Sequence, residues 1–265
     1  MITGPRSGPV PALDAVPGPD AAGPDPAPGT GAAPGPDLGP GAATARPSSA
    51  LPAAVLWDMD GTLVDTEPYW IEEEYALVAE HGGTWTEEDA RSLVGNDLIV
   101  SANYIRDVGG VQLPADQIIE RLLAKVIERV RVHMPWRPGA RELLAELNAN
   151  DVPCAMVTMS YQSLAQAVVQ TLPEGSFRTV VAGDDVEHGK PHPEPYLMAA
   201  ARLGLEPERC VAIEDSLTGV TSAQAAKVPV LAVEHLVTIP PAPGRTVVTS
   251  LVGWTAADLS ALVPD

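Results

Sequence analysis

The pattern of apolar and polar residues divides the chain into three parts. Residues 1–50 repeat Pro, Gly, Ala and Asp without apolar periodicity, which is typical of a disordered tail. A short apolar run at residues 53–57 predicts a buried strand, and residues 68–135 then carry apolar side chains at helical spacing. From residue 137 onward, short apolar runs alternate with helical patterns. We therefore expect a tail, a helical part and a part in which strands and helices alternate.

Local signals bound the helices of the second part. Pro68 lies where the first turn of a helix tolerates proline, and the glycines at 82–83 end that helix. Residues 86–89, Thr-Glu-Glu-Asp, have the form of a capping box, which predicts a second helix. Residues 98–108 and 116–132 continue the helical pattern, the latter with one apolar stripe. This part is predicted to be wholly helical.

The alternation in the third part predicts an α/β protein. The predicted strands are residues 53–57, 152–159, 179–182, 209–213 and 228–233, with an edge strand at 246–249. The predicted helices are residues 140–148, 163–172, 194–203 and 218–226, with a short last helix from about residue 255. Strands that alternate with helices form parallel sheets covered on both faces. We therefore predict a Rossmann-like parallel sheet with helices on both faces.

The domain organisation follows from the position of the helical part. It separates the first strand from the other strands, so we predict an all-helical cap domain, residues 68–136, inserted into an α/β core. The core is discontinuous and comprises residues 51–67 and 137–265. An insertion at the carboxyl end of a strand lies where open α/β sheets bind ligands, so it can act as a lid. Residues 66–69 and 135–138 are the predicted hinges. The tail is either a dispensable extension or a flexible arm for a partner.

Charge and composition narrow the classes of partner. The formal net charge is −19, and the first fifty residues contribute only four Asp and two Arg to it. Nucleic acids and anionic membranes bind basic surfaces, so we expect neither as a partner. No run of about 18 apolar residues predicts a membrane-spanning helix. Cys154 and Cys210 lie in apolar runs and are predicted to be buried thiols. We expect a cytoplasmic protein and a monomer, although the sequence leaves the oligomeric state open.

Polar residues with chemical potential follow the predicted strands. Asp58 and Asp60 end the first strand, and Gly61 allows the chain to turn at once. Glu214 and Asp215 end a later strand in the same way. Taken singly, a polar turn explains the first pair, and the cap of the following helix explains the second.

Two further positions carry the chemistry of phosphate binding. Thr158 lies where a strand gives way to a helix, so its hydroxyl and the backbone amides there can bind phosphate or simply cap the helix. Lys190 lies between Gly189 and Pro191 in a stiff loop before another helix, although an ordinary surface lysine remains an alternative.

Topology brings these residues to one edge of the predicted sheet. Parallel strands point their carboxyl ends the same way, so the four strand ends would converge on one crevice. Several carboxylates at one place repel each other unless a cation binds them, and hard oxygen ligands suit Mg²⁺. A lysine and backbone amides can then hold the other oxygens of a phosphate group. The sequence therefore predicts a site for Mg²⁺-dependent phosphoryl transfer.

The motifs resemble those of a known family. Residues 58–67 read Asp-Met-Asp-Gly-Thr-Leu-Val-Asp-Thr-Glu, and Thr158, residues 189–191 (Gly-Lys-Pro) and residues 214–216 (Glu-Asp-Ser) follow in order. Their order and spacing, from about residue 53 to residue 235, resemble the haloacid dehalogenase superfamily of phosphatases and phosphomutases. The helical insertion resembles the cap of its β-phosphoglucomutase-like phosphatase branch.

The resemblance implies a role for each motif residue. Asp58 would attack phosphorus and form an aspartyl-phosphate, and Asp60 would protonate the leaving oxygen and then deprotonate water. Thr158 and Lys190 would bind the transferred phosphoryl group. The implied metal ligands for Mg²⁺ are Asp58, the backbone carbonyl of Asp60, Glu214 and Asp215.

Three departures from the family pattern bear on the substrate. His192 stands where the family usually has Asp between two prolines, and we interpret it as a helix-start residue. Trp70 stands where the mutases usually carry His, which favours hydrolysis over mutase chemistry. The loop at residues 93–97 resembles the family's specificity loop but has no Arg to bind a second phosphate. A monophosphate substrate with water as acceptor is therefore expected.

Three functional hypotheses are consistent with these residues. The first is a Mg²⁺-dependent phosphatase of small phosphorylated metabolites, such as sugar or polyol monophosphates. The second is a sugar phosphate mutase, which needs a bisphosphate activator and yields an isomer rather than free phosphate. The third is a non-catalytic sensor of phosphorylated ligands, which the presence of every expected reactive residue disfavours.

Overall fold

A parallel sheet forms the centre of the computed structural model, which describes residues 51–94 and 97–264. Within these residues the strands are β1 Ala54–Trp57, β2 Cys154–Val157, β3 Thr179–Val181, β4 Cys210–Glu214, β5 Val230–Val233 and β6 Arg245–Val248. They pair in the order β3-β2-β1-β4-β5-β6, and every pair is parallel. Leu56 pairs with Ala155 of β2 on one side and with Ala212 of β4 on the other. The strand order therefore reverses at β1, where open α/β sheets bind ligands.

Helices cover both faces of the sheet, as the sequence predicted. The α-helices of the described residues are α1 Glu67–Glu80, α2 Glu87–Leu93, α3 Leu98–Asp107, α4 Ala115–Val132, α5 Ala140–Ala149, α6 Gln162–Gln170, α7 Glu194–Leu203, α8 Leu217–Ala225 and α9 Ala256–Ser260, and those from α5 to α9 cover the sheet. Side chains alternate along a strand, so Val55 and Trp57 pack on one face with apolar residues of α5, α6 and α9. Ala54 and Leu56 pack on the other face with residues of α7 and α8. All four β1 side chains are buried, which fixes β1 at the centre of the core.

The predicted elements are confirmed to within about two residues, and two of the shifts have the same cause. The strands predicted at 152–159 and 228–233 begin later, at Cys154 and Val230. The backbone N–H of Val152 donates to the carbonyl of Leu147, and that of Val228 donates to the carbonyl of Ala223. Each of these residues therefore closes the preceding helix instead of starting the strand.

The inserted helices α1 to α4 lie between β1 and α5 along the chain and have an apolar cluster of their own. Leu77, Trp85, Ile105 and Ile118 are among its buried members. The predicted capping box is confirmed, because the Thr86 hydroxyl accepts from the N–H of Asp89 while the Asp89 carboxylate accepts from the N–H of Thr86.

The two connections to the inserted helices are paired with each other. The N–H of Asp65 donates to the carbonyl of Pro135 at 2.8 Å, and the N–H of Arg137 donates to the carbonyl of Leu63 at 3.0 Å. Val64 and Trp136 form an antiparallel bridge between these two bonds. The chain therefore leaves and re-enters the sheet-bearing part at adjacent points. The predicted domain boundaries and hinges stay predictions.

Three further predictions concern the two cysteines, membrane-spanning helices and the N-terminal tail. Cys154 on β2 and Cys210 on β4 are buried free thiols, as predicted. In the part of the chain that the structure describes, no helix has the length and apolar character needed to span a membrane. The tail predicted at residues 1–50 lies outside the described residues.

A buried carboxyl in the insertion leads to a prediction about stability. Glu74 is only 5% exposed, and burial, together with the charge of Glu67, raises its pKa from 4.5 to about 8. Between those two values the folded protein keeps a proton that the unfolded chain has lost. The stabilisation from Glu74 is therefore complete below pH 4.5 and is lost as the pH rises through about 8.

We expect Glu74→Gln to be more stable than the wild type by roughly 4 kcal/mol near pH 9, since glutamine cannot ionise, and by little near pH 5. Urea unfolding at both pH values measures the difference. Glu128→Gln is the control, because Glu128 lies on the exposed surface of α4, and it should show no such pH dependence. A Glu74→Gln effect of equal size at both pH values would contradict the prediction.

Candidate active site

The predicted site residues meet at the carboxyl edge of the sheet. Asp58 directly follows β1, Thr158 follows β2, Glu214 is the last residue of β4 and Asp215 comes after it. Lys190 reaches the same place from the loop that precedes α7. The ends of β1 and of its two neighbours, β2 and β4, therefore supply the site, as the parallel topology requires.

Lys190 is the buried cation at the centre of the site. Its Nζ lies 2.6 Å from Asp58 Oδ1 and 2.6 Å from Glu214 Oε1, and it donates to the carbonyl of Val157 at 2.9 Å. Its side chain is only 5% exposed. Burial alone would lower the pKa of Lys190, but the charges of Asp58 and Glu214 raise it instead. The lysine is therefore charged, and it joins the ends of β1 and β4.

Glu214 is held by hydrogen bonds at both carboxylate oxygens. Besides Lys190, Oε1 accepts from the hydroxyl of Tyr196 at 2.8 Å. Oε2 accepts from the N–H groups of Asp215 and Ser216 and from the Ser216 hydroxyl, at 3.1–3.3 Å. A Cβ at Gly219 would lie 1.8 Å from Oε1, so only glycine fits at this position of α8. The Glu214 carboxylate is thus completely buried, and protein groups provide hydrogen bonds to both of its oxygens.

Sequence reasoning missed Tyr196 as part of the site. It is fully buried on α7, its ring lies 5.3 Å from Lys190 Nζ, and its hydroxyl contacts Glu214. A tyrosine six residues beyond the lysine is compatible with ordinary core packing, so the sequence carried no specific signal for this contact.

Asp60 points to different partners from those of Asp58. Its Oδ2 accepts from the hydroxyl of Ser160 at 2.6 Å, and its Oδ1 accepts from the hydroxyl of Thr66. Burial raises its pKa, although these two hydrogen bonds act in the opposite direction. Neither Ser160 nor Thr66 was predicted to contact Asp60, although Thr66 belongs to the motif at residues 58–67 and Ser160 follows Thr158 closely in the sequence. A carboxyl in this setting can exchange a proton with a bound group.

Three carboxylates form a compact cluster that fits a divalent cation. One oxygen from each of Asp58, Glu214 and Asp215 lies within 4.8 Å of the others. Asp58 Oδ2 is buried and has no hydrogen-bond partner among the described residues. Burial and, after it, the charge of Glu214 raise the pKa of Asp215 to about 7, so a further negative charge is disfavoured in the cluster. An unpartnered oxygen among repelling carboxylates is the environment that a hard cation stabilises.

The turn after β1 brings Asp215 into this cluster. Gly61 has a φ of +87°, which glycine adopts without steric cost, and a Cβ there would lie 2.0 Å from Asp215 Oδ2. The Thr62 hydroxyl donates to Asp215 Oδ1 at 3.2 Å. The Asp-Gly-Thr sequence therefore both turns the chain and holds the acid of the neighbouring strand.

The structure also shows the surroundings of Thr158 and of the residues at which the chain departs from the family pattern. Thr158 is buried, and its hydroxyl accepts from the N–H of Ser160 at 3.0 Å, so its phosphate-binding role stays a prediction. His192 Nδ1 accepts from the N–H of Glu194 at 3.3 Å, which supports the predicted helix-start role. Trp70 packs against both the sheet-bearing core and the cluster of the inserted helices. In the predicted specificity loop, Gly95 and Asn96 lie outside the described residues.

Fold and site together define an α/β protein with an acidic centre at the carboxyl edge of its parallel sheet, and comparison with known families gives the class. The family model of the haloacid dehalogenase-like hydrolases matches residues 55–233, which include the sheet from β1 to β5 and the inserted helices. The chain belongs to this family.

Named relatives and solved structures extend the comparison. Hexitol phosphatase A of Escherichia coli is 34% identical over 179 residues, which cover 67% of this chain and 81% of that protein. The phosphorylated carbohydrates phosphatase of Thermotoga maritima is 31% identical over 181 residues, which cover 65% of this chain and 81% of that protein. CbbY from Rhodobacter sphaeroides, solved in complex with phosphate, superposes with a TM-score of 0.68 at 26% identity and covers 79% of this chain and 99% of its own.

Proposed function

We propose that the protein is a Mg²⁺-dependent phosphatase of small phosphorylated metabolites, with sugar or polyol monophosphates as its substrate class. The observation that carries the proposal is the buried centre in which Lys190 bonds Asp58 at 2.6 Å beside an unpartnered carboxylate oxygen. The lysine orients one oxygen of Asp58 and leaves Oδ2 as the candidate nucleophile. The names of the relatives, hexitol and carbohydrate phosphatases among them, support the substrate class.

The proposed reaction has two balanced steps. Asp58 Oδ2 attacks phosphorus, the bond from phosphorus to the ester oxygen breaks, and Asp60 gives its proton to the leaving alcohol. Asp60 then takes a proton from water, which attacks the aspartyl-phosphate and releases inorganic phosphate and free Asp58. The raised pKa of Asp60 suits the first step, because a carboxyl must be protonated to act as an acid. Thr158 and Lys190 bind the phosphoryl oxygens during both steps.

The acidic cluster has the residues to hold Mg²⁺. Asp58, the carbonyl of Asp60, Glu214 and Asp215 are the proposed ligands. When bound, Mg²⁺ supplies positive charge that reduces the repulsion between a carboxylate nucleophile and a phosphate. Glu214 already accepts hydrogen bonds at both oxygens, so direct coordination by this residue requires one of those bonds to be exchanged.

The inserted helices are proposed to act as the cap over this centre. Both connections emerge close to Asp58 and Asp60, since residues 63–65 pair with residues 135–137 only a few positions after these aspartates. The proposed cap comprises residues 68–136, and its hinges are residues 66–69 and 135–138. Closure would exclude water from the centre and bring the residues that choose the substrate into contact with it.

A mutase is the second candidate. One solved structure that superposes with a TM-score of 0.61 at 28% identity is titled a putative β-phosphoglucomutase from Thermotoga maritima. Trp70 in place of the usual histidine, and the lack of an arginine in residues 93–97, favour hydrolysis of a monophosphate. A monomer and a cytoplasmic location stay predictions.

Removal of the metal ion tests the proposed function. We expect release of inorganic phosphate from p-nitrophenyl phosphate and from a panel of sugar and polyol phosphates in the presence of Mg²⁺. Excess EDTA should lower the rate by about 100-fold or more, since the nucleophile then faces an unscreened phosphate, and added Mg²⁺ should restore it.

The products distinguish the alternatives. An isomeric sugar phosphate formed without free phosphate, and only with a bisphosphate activator, would establish the mutase. Unchanged hydrolysis in EDTA would reject the metal-dependent mechanism, and the absence of turnover with every ester would favour the sensor.

A further inference from the structure

A second group of metal-binding side chains lies in the loop that carries Lys190. His188, His192 and Glu194 each offer one ligand atom, and these atoms lie within 4.8 Å of one another. His188 Nδ1 is 3.0 Å from Glu194 Oε2, and His192 Nδ1 is 3.9 Å from the same oxygen. The two imidazole rings lie side by side, with centroids 4.7 Å apart. Two imidazoles and a carboxylate thus converge on one point of the surface.

Hydrogen bonds that do not involve a metal ion hold the Glu194 carboxylate and the backbone of His192 in place. Glu194 Oε1 accepts from the N–H of Glu187 at 2.8 Å, and Oε2 accepts from the N–H of His188 at 3.0 Å. The N–H of His192 donates to the carbonyl of Gly189 at 3.0 Å. The carbonyl of His192 accepts from the hydroxyl of Ser222 at 2.5 Å. Little ordering of the loop is therefore needed when an ion binds, which favours binding.

The buried lysine anchors the middle of the same loop. Lys190 lies between the two histidines in the sequence, and its Nζ is bonded to Asp58 and Glu214. Its N–H and Gly189 both pack against the sulfur of Met159. The histidine side chains are about half exposed, so the ion can enter from solvent and keep water ligands.

We propose that His188, His192 and Glu194 form a second metal site, which binds Zn²⁺ and is separate from the carboxylate cluster. Imidazole nitrogen is a preferred ligand of Zn²⁺ and a poor one for Mg²⁺, which selects oxygen ligands. Three protein ligands leave a coordination position for water. The N–H of Glu194 makes only a 3.3 Å hydrogen bond to His192 Nδ1, and a metal ion can replace such a weak bond. The chain would then hold two ions of different chemistry on either side of Lys190.

Calorimetric titration with Zn²⁺ tests the site. The full chain, without an affinity tag, is titrated with ZnCl₂ in saturating MgCl₂ so that the carboxylate cluster is occupied. We expect one Zn²⁺ per chain, bound about ten-fold or more weakly by His188→Ala and by His192→Ala, and no detectable binding by the double variant. His133→Ala is the matched control, because this exposed histidine lies at the end of α4, and it should bind Zn²⁺ as the wild type does.

Two further measurements make the outcome decisive. Asp215→Asn, which alters the carboxylate cluster, should keep the Zn²⁺ affinity, and this result does not depend on whether the protein is a phosphatase. Circular dichroism should show that the histidine variants are folded. The proposal is overturned if the wild type binds no Zn²⁺, if the folded double variant binds it equally well, or if Asp215→Asn loses it.

Discussion

Asp58→Asn is expected to lower the rate of phosphate release by about 10³-fold or more while leaving the protein folded. An amide oxygen is a poor nucleophile, so the aspartyl-phosphate cannot form. The exchange keeps the volume of the side chain, and Lys190 retains Glu214 as a charged partner at 2.6 Å. The variant should therefore lose little stability, so that a loss of activity reports the missing nucleophile and not unfolding.

The measurement compares steady-state rates with p-nitrophenyl phosphate at saturating Mg²⁺, together with mass spectrometry of the protein after rapid acid quenching. The wild type should carry a transient mass increase of one phosphoryl group, and the variant should not. Asp107→Asn is the control, because Asp107 is exposed and pairs with Arg106 at the end of α3. It should leave the rate unchanged. A rate in Asp58→Asn above about a tenth of the wild-type rate would remove Asp58 from the role of nucleophile.

Lys190→Met is expected to have the largest effect on stability. It leaves Asp58 and Glu214 buried without the cation that contacts both, and breaking such a buried pair costs roughly 3–5 kcal/mol. Methionine fills much of the volume of lysine, so the loss reports the charge rather than a cavity. The activity should fall as well, because Lys190 is proposed to bind the phosphoryl group.

Urea unfolding in EDTA measures this effect, since a bound divalent cation would compensate part of it. Lys227→Met is the matched control. Lys227 is largely exposed, its Nζ lies 3.6 Å from Glu208 Oε1, and exposed ion pairs contribute little to the free energy of unfolding. Mg²⁺ should restore more stability to Lys190→Met than to the control, because it replaces the lost positive charge at the carboxylates. Equal small losses in the two variants would show that the buried ion group does not stabilise the fold.

The sequence was sufficient for the fold because its signals were local and mutually consistent. The capping box at Thr86 and the apolar runs of β1 and β4 depend only on neighbouring residues, and the parallel order of strands follows from the alternation with helices. The predicted parallel arrangement of the strands also implied that Asp58 and Asp215 lie at the same edge of the sheet. Where strands were predicted too long, at Val152 and Val228, the deciding hydrogen bonds run back to the preceding helix, and an apolar pattern does not report them.

The contacts inside the site were less accessible to prediction. That Tyr196 reaches Glu214 depends on how α7 is rotated against the sheet, and that Ser160 reaches Asp60 depends on the path of a turn one hundred residues away in sequence. The sequence predicted a phosphate-binding role for Lys190, but its direct bonds to two carboxylates depend on the path of the loop before α7. Such contacts join residues far apart in the chain, and residue type and spacing do not determine them.

The pairing of the two connections between Val64 and Trp136 has a consequence for how such a protein can diversify. Because the exit and re-entry points are adjacent and already hydrogen-bonded, a different set of helices can be grafted there, provided that it replaces the core contacts of Val126 and Val130 of α4. Under the proposed function, the chemistry and the choice of substrate are thereby encoded in separate stretches of sequence. Recombination of one stretch without the other would yield new specificities on an unchanged catalytic centre.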